Sequence, residues 1–208
     1  WNPIHDEFIV ISGQSPYLVT LWVWDADAQR ARKTQTISPS SHRNTIRWNK
    51  FGSVVCIGGF GNLAGDVDFF ARQSAESGMP SYCRTASTKA ACTVDVAWAP
   101  DGKHLMTAIL APRMRVDNGF KIWNGLTGKE VRSEKVDNLY QVAWMPGEAG
   151  GEDFTAAEIA TQKGVAASTG AGKKQAYRPP RARLGATDAE RPSHPWDDAS
   201  AQPRKEIP

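Results

Sequence analysis

Tryptophan recurs in this chain at an interval that few architectures can use. Trp1, Trp48, Trp98 and Trp144 stand in related stretches: Trp1-Asn-Pro, Ile46-Arg-Trp-Asn-Lys-Phe-Gly, Val96-Ala-Trp-Ala-Pro-Asp-Gly and Val142-Ala-Trp-Met-Pro-Gly. Their spacings are 47, 50 and 46 residues. A short apolar run follows each of the first three, at Phe8–Ile11, Val54–Ile57 and Leu105–Leu110. A second follows at Leu18–Trp24, Val67–Phe70 and Gly119–Trp123, then a polar stretch with strand character such as Arg32–Ile37 or Glu130–Val136. Each repeat reads as four short strands joined by turns, with Pro100-Asp-Gly102 as one tight turn. Short strands in units of roughly 40–50 residues are the signature of propeller blades. The expected fold is all-β, about three blades of a β-propeller over residues 1–146, plus one further strand at Tyr140–Trp144. Trp48, Trp98 and Trp144, at equivalent positions, are expected to pack between neighbouring sheets.

Three blades cannot close a ring, since propellers take roughly four to eight or more. The chain opens on Trp1 rather than Met. It therefore reads as part of a larger propeller whose other blades lie upstream, with no leader in view. An isolated 1–146 unit is expected to expose a blade face and unpaired strand edges. The longest apolar runs, such as Phe8–Ser12 and Ser53–Phe60, fall far short of the ~20 residues of a membrane-spanning helix, so no membrane partner is expected. Cys56, Cys83 and Cys92 are too few and scattered for a disulfide framework, which fits a reducing compartment.

Composition shifts near residue 146. From Gly147 onward the only Val, Ile, Leu or Phe residues are Phe154, Ile159, Val165, Leu184 and Ile207. That is too little apolar surface to offset chain entropy, and 147–208 is expected to be a largely disordered tail. Residues 159–187 carry Lys163, Lys173, Lys174, Arg178, Arg181 and Arg183 with no acidic residue, so the tail is basic there. Such a stretch is either a solvated linker or an arm for phosphate or an acidic face.

Three segments are more specific than the blade pattern: Gly58-Gly-Phe-Gly-Asn-Leu-Ala-Gly65, Ala111-Pro-Arg-Met-Arg-Val-Asp-Asn-Gly-Phe-Lys-Ile-Trp123 and Ala176-Tyr-Arg-Pro-Pro180. In this order they resemble the eukaryotic translation initiation factor 2A family, over most of 1–146 and the short tail element. The resemblance implies the last three blades of a nine-bladed propeller and a cytoplasmic location. It also implies binding to the small (40S) ribosomal subunit and help with initiator methionyl-tRNA delivery or non-standard initiation. Initiator tRNA, mRNA and other initiation factors are further partners it allows. The sequence departs from the family at Ala64 and at Phe70-Ala71, where a basic residue and a Trp-Asp pair are usual. Alternatives are a generic WD-repeat platform for protein partners, the propeller of the large scaffold subunit of initiation factor 3, and the propeller gate of a hydrolase.

The candidate ribosome or RNA contacts are Arg113, Arg115 and Lys121 in the blades and Lys173, Lys174, Tyr177, Arg178, Arg181 and Arg183 in the tail. Arg113 and Arg115, one residue apart on an extended chain, would point to the same side and fork onto phosphate or carboxylate. The alternative is that they brace the blade by pairing with Asp117 or with backbone carbonyls. Tyr177-Arg-Pro-Pro180 is stiffened by its prolines and suits docking, or serves as a rigid linker. The glycines at 58–65 lack the GxGxxG spacing ahead of a helix and read as hairpin geometry. Gly170-Ala-Gly-Lys-Lys174 lacks the Walker pattern. No GxSxG elbow or fixed carboxylate pair occurs. The expectation is a protein without catalytic residues, metal or cofactor.

Overall fold

The computed structural model describes residues 1–13, 17–37, 42–74, 79–111, 113–147 and 150–162. Among them, eleven strands form three antiparallel sheets, each a meander in sequence order. The first holds β1 (Glu7–Ser12), β2 (Leu18–Asp25) and β3 (Arg30–Ile37). The second holds β4 (Thr45–Trp48), β5 (Val54–Gly58), β6 (Asp66–Ser74) and β7 (Pro80–Lys89). The third holds β8 (Asp95–Trp98), β9 (His104–Ile109), β10 (Gly119–Asn124) and β11 (Glu130–Lys135). Pro80 opens its strand, a position where a missing N–H costs no ladder bond.

The tryptophan spacing sets the strands in phase. β1, β5 and β9 start at Glu7, Val54 and His104, each six residues past Trp1, Trp48 or Trp98. The tight turn expected at 100–102 is present. Gly102 takes φ 73°, its N–H donates to the Ala99 carbonyl, and Asp101 Oδ1 accepts from the amides of Lys103 and His104. A side chain at Gly102 would also overlap the Phe51 ring. Each sheet carries a register shift where its outermost strand pairs, at Leu21/Trp22, Phe69/Phe70 and Ile122/Trp123. These positions face Ile9/Phe8, Cys56/Val55 and Met106/Leu105, the same two places on β1, β5 and β9.

The sheets stack face to face, and the second is buried on both sides. Val55 and Ile57 of β5, with Phe70 and Tyr82, pack against Ile9, Val19, Leu21 and Ile37 of the first sheet. Cys56, Val67 and Phe69 face the other way, onto Val96, Leu105 and Trp123 of the third. That is why Val54–Gly58 is an unbroken apolar run buried at every position, whereas the outermost β11, Glu130–Lys135, is largely exposed and polar. Each fully buried large apolar side chain contributes about 1.5–3 kcal/mol. Sheets of this topology, stacked in series, are blades of a β-propeller.

Two expectations change. The stretch 140–147 is not a strand, because no second strand follows among the described residues to give it a ladder. Trp144 is nonetheless held at its repeat position, its indole Nε1–H donating to the Ala97 carbonyl at 3.1 Å. The expected boundary at 146 is also too early. A short helix spans 156–162, and Phe154 is buried against Val54, Ala71 and Leu126. Local capping and one aromatic anchor order this segment although its composition is poor in apolar residues. Most of the expected tail, 163–208, lies outside the described residues. Among the described residues, no helix is long and apolar enough to cross a membrane.

Candidate contact rim

In the second and third sheets, the loops joining the second strand to the third lie at one end of the stack. In the second sheet, residues 59–65 close by Gly59 N–H to the Asp66 carbonyl and Gly65 N–H to the Gly59 carbonyl, both at 2.9 Å. Asn44 clamps this loop from the preceding connection, donating to the Phe60 carbonyl at 2.9 Å and accepting from the Phe60 amide at 3.0 Å. At Gly59 a Cβ would collide with the His42 carbonyl, and at Gly65, where φ is 81°, with the Ala90 carbonyl. The glycines therefore serve hairpin geometry and close backbone approach, as their spacing suggested.

Arg113 and Arg115 sit in the corresponding loop of the third sheet, 110–118. The segment is not extended. The Leu110 carbonyl accepts from both the Arg113 and Met114 amides, at 3.2 and 3.0 Å, which bends the chain into a turn. The extended geometry behind the expectation of a shared side is absent, and the two arginines have different neighbours. Arg113 reaches across to the second sheet and donates to Asn62 Oδ1, so it ties two loops together. Arg115 is exposed and has no ion-pair partner among the described residues. It lines a cleft of about 370 Å³ with Asp117, Asn118, Lys135 and Asp137. Asp117 takes φ 55° and pairs with Lys135 at 3.9 Å, not with either arginine. Pro112 lies outside the described residues.

Lys121 faces a different groove, about 310 Å³, where Lys89 at the end of β7 and Thr93 of the connection after it meet Thr107 and Ser133 of the third sheet. Its ammonium donates to Glu130 Oε2 at 2.7 Å and lies 5.5 Å from the centre of the Trp123 ring. The groove and the Arg115 cleft share Asp117, Asn118 and Lys135. Asn118, 7% exposed, donates to the Met114 carbonyl at 2.7 Å and shapes the turn between them. Lys173, Lys174, Tyr177, Arg178, Arg181 and Arg183 lie outside the described residues.

Sequence reasoning missed a buried charge cluster near this rim. Arg43, 1% exposed, donates to the Asp68 carboxylate and lies 3.8 Å from Asp66 Oδ2. Arg84 approaches the other Asp68 oxygen at 3.9 Å. A buried arginine must be paired to be tolerated, and no local pattern around Ser41-His-Arg43 signals partners 23 to 25 residues on. Among the described residues, no three His, Cys, Asp or Glu side chains converge as a metal site would require.

Antiparallel meanders stacked in this way define a repeat protein of the β-propeller class. Comparison with known families gives the particular case. The chain belongs to the family Eukaryotic translation initiation factor eIF2A, whose model matches residues 1–142. Eukaryotic translation initiation factor 2A of Dictyostelium discoideum is 37% identical over 146 residues, covering 70% of this chain and 22% of that protein. The protein of the same name from Caenorhabditis elegans is 32% identical over 183 residues, covering 86% of this chain and 30% of that one. A crystal structure of a eukaryotic initiation factor superposes with a TM-score of 0.56 at 32% identity, over 68% of this chain and 32% of that chain. The chain thus spans less than a third of the length of these relatives.

Proposed function

We propose that this chain forms the last blades of a non-catalytic translation initiation scaffold that meets the small ribosomal subunit through its loop rim. The observation that carries this reading is Arg115. It is exposed, unpaired among the described residues, and held in a loop that Arg113 and Asn118 make rigid. An exposed guanidinium carried on a hydrogen-bonded loop suits bidentate binding of phosphate or carboxylate. Arg113 is the brace of that loop, and Lys121 flanks it. Lys173, Lys174, Tyr177, Arg178, Arg181 and Arg183 would add a cationic arm to the same partner. The role is cytoplasmic, in initiator methionyl-tRNA delivery or non-standard initiation, with mRNA and other initiation factors as neighbours.

The test is sucrose-gradient sedimentation of the full-length protein from lysate at two salt concentrations with RNase controls. Co-migration with small-subunit particles is expected. Arg115→Glu should shift the protein toward the free fractions while its circular dichroism stays unchanged. Sedimentation as a free protein at both salts would overturn the ribosomal reading.

A further inference from the structure

The family match ends at residue 142, yet the chain packs on the sheets again at Asp153 and Phe154. At the end of the stack opposite the arginine loop, the turns at 49–53 and 99–103 and the bend at 124–128 enclose a cleft between the second and third sheets. Phe154 fills it, 8% exposed, against Val54 and Ala71 of the second sheet and Leu126 of the third. Lys103 Nζ stands 5.5 Å from the centre of the Phe154 ring. Ser53 Oγ donates to Asp153 Oδ1 at 2.6 Å. The occupant is therefore gripped by both sheets at once.

The segment is built to present that ring. Thr155 and Glu158 form a capping box: the Glu158 amide donates to Thr155 Oγ1 at 3.2 Å, and the Thr155 amide donates to Glu158 Oε2 at 2.7 Å. Ile159 packs with Phe154 in the same cluster, which is the hydrophobic staple that fixes how the chain enters the helix. The Thr155 amide and hydroxyl hold the Glu158 carboxyl below its usual range, with a smaller contribution from Lys103. Glu158 feels the Lys103 charge, Asp153 is held by Ser53, and Lys50 lies beside Gly151 on the same rim.

We propose that this cleft is a peptide-docking site for an acidic, aromatic-anchored helix start, filled in this chain by residues 150–162 and able to take the same chemistry in trans once they leave. The recognised features are a carboxylate one residue before an aromatic ring, then a threonine or serine cap with a glutamate three residues later. Occupancy in cis is favoured because a short connection holds the segment at an effective concentration in the millimolar range.

The test uses the full chain and a fluorescein-labelled peptide of residues 150–162. In the variant Asp153→Ala/Phe154→Ala/Glu158→Ala the cleft is vacated, and saturable binding of the peptide is expected. The unaltered chain, its cleft filled, should bind at least tenfold more weakly. Adding Lys103→Glu to the vacated variant should abolish binding. Equal binding to both chains would overturn the proposal, as would no binding to a vacated variant with unchanged circular dichroism. Should the variant not fold, hydrogen exchange of the unaltered chain decides. The amides of 159–162 are expected to exchange at least tenfold more slowly than in the free peptide, and exchange at the peptide's rate would overturn the proposal.

Discussion

The seam between the first and second sheets and the seam between the second and third use the same repeat positions, but lock them differently. Asn2, beside Trp1, donates to the Gly52 carbonyl at 2.9 Å, and Asn49, beside Trp48, donates to the Gly102 carbonyl at 3.0 Å. Each asparagine reaches forward into the next repeat's turn. The tryptophans reach backward: Trp98 Nε1–H donates to the Arg47 carbonyl at 2.8 Å, and Trp144 repeats this with Ala97. Trp48 breaks the series. Its Nε1 is buried with no partner among the described residues. The first seam compensates with buried polar contacts, Glu7 accepting from Arg72 Nη2 at 2.6 Å and from the Tyr82 hydroxyl at 2.8 Å. The second relies on apolar packing around Phe69 and on Phe154. One repeat can therefore be fastened by charge or by packing without moving its strands.

The largest effect should come from the apolar seam. Phe69 is fully buried, and Phe69→Ala should destabilise the chain by about 4 kcal/mol, read from urea unfolding. Next comes the polar seam. Glu7→Ala leaves Arg72 and the Tyr82 hydroxyl without their carboxylate and should cost about 3 kcal/mol in the same assay. If the two losses were reversed in order, the contrast between the seams would fail. A paired substitution sharpens it further. Trp98→Phe strands the Arg47 carbonyl, whereas Trp48→Phe removes a donor that is already orphaned. The first should therefore cost about 1 kcal/mol more than the second.

The smallest effect is spectroscopic and gives each seam its own probe. Burial, reinforced by the nearby Glu7 charge, pushes the Tyr82 hydroxyl far above its usual range. Burial, with Asp68 second, does the same to the Cys56 thiol. Both groups stay protonated in the folded chain while the unfolded chain ionises, so stability is full at neutral pH and falls as pH rises. The decline should begin near pH 9 for the thiol and near pH 10 for the phenol. A thiol reagent should label exposed Cys92 at once and Cys56 only on unfolding. Tyr82→Phe should leave the 295 nm titration below pH 11 unchanged, and a lost step there would show the first seam to be open to water.

Strand order and sheet count were legible because the tryptophan interval survives every change of the residues between. The seam bonds were half legible. Trp1-Asn2 and Trp48-Asn49 are visible dipeptides, but their acceptors are glycine carbonyls one repeat further on, and only the stacked sheets bring them together. Thr155-Ala-Ala-Glu158 preceded by Phe154 is a complete local helix-start signal, masked in the sequence by the scarcity of apolar residues around it. The geometry of Arg113 was not legible. Its partner Asn62 lies 51 residues away, and the turn at Leu110 that aims it depends on backbone hydrogen bonding rather than on side-chain pattern.

The register shift at the outermost strand of every sheet has a consequence for how such a chain can change over generations. The shift falls opposite the same two positions of β1, β5 and β9 each time, while the outermost strand is eight, ten or six residues long in β3, β7 and β11. The extra twist at that joint absorbs differences in length before they reach the centre. Differences in length along the outer edge therefore show in the tryptophan intervals of 47, 50 and 46 residues, while the six-residue step from each tryptophan to β1, β5 or β9 stays constant. The lengths that vary among the repeats thus sit at the circumference, and the step that does not vary sits nearer the hub, where the lever arm is shortest.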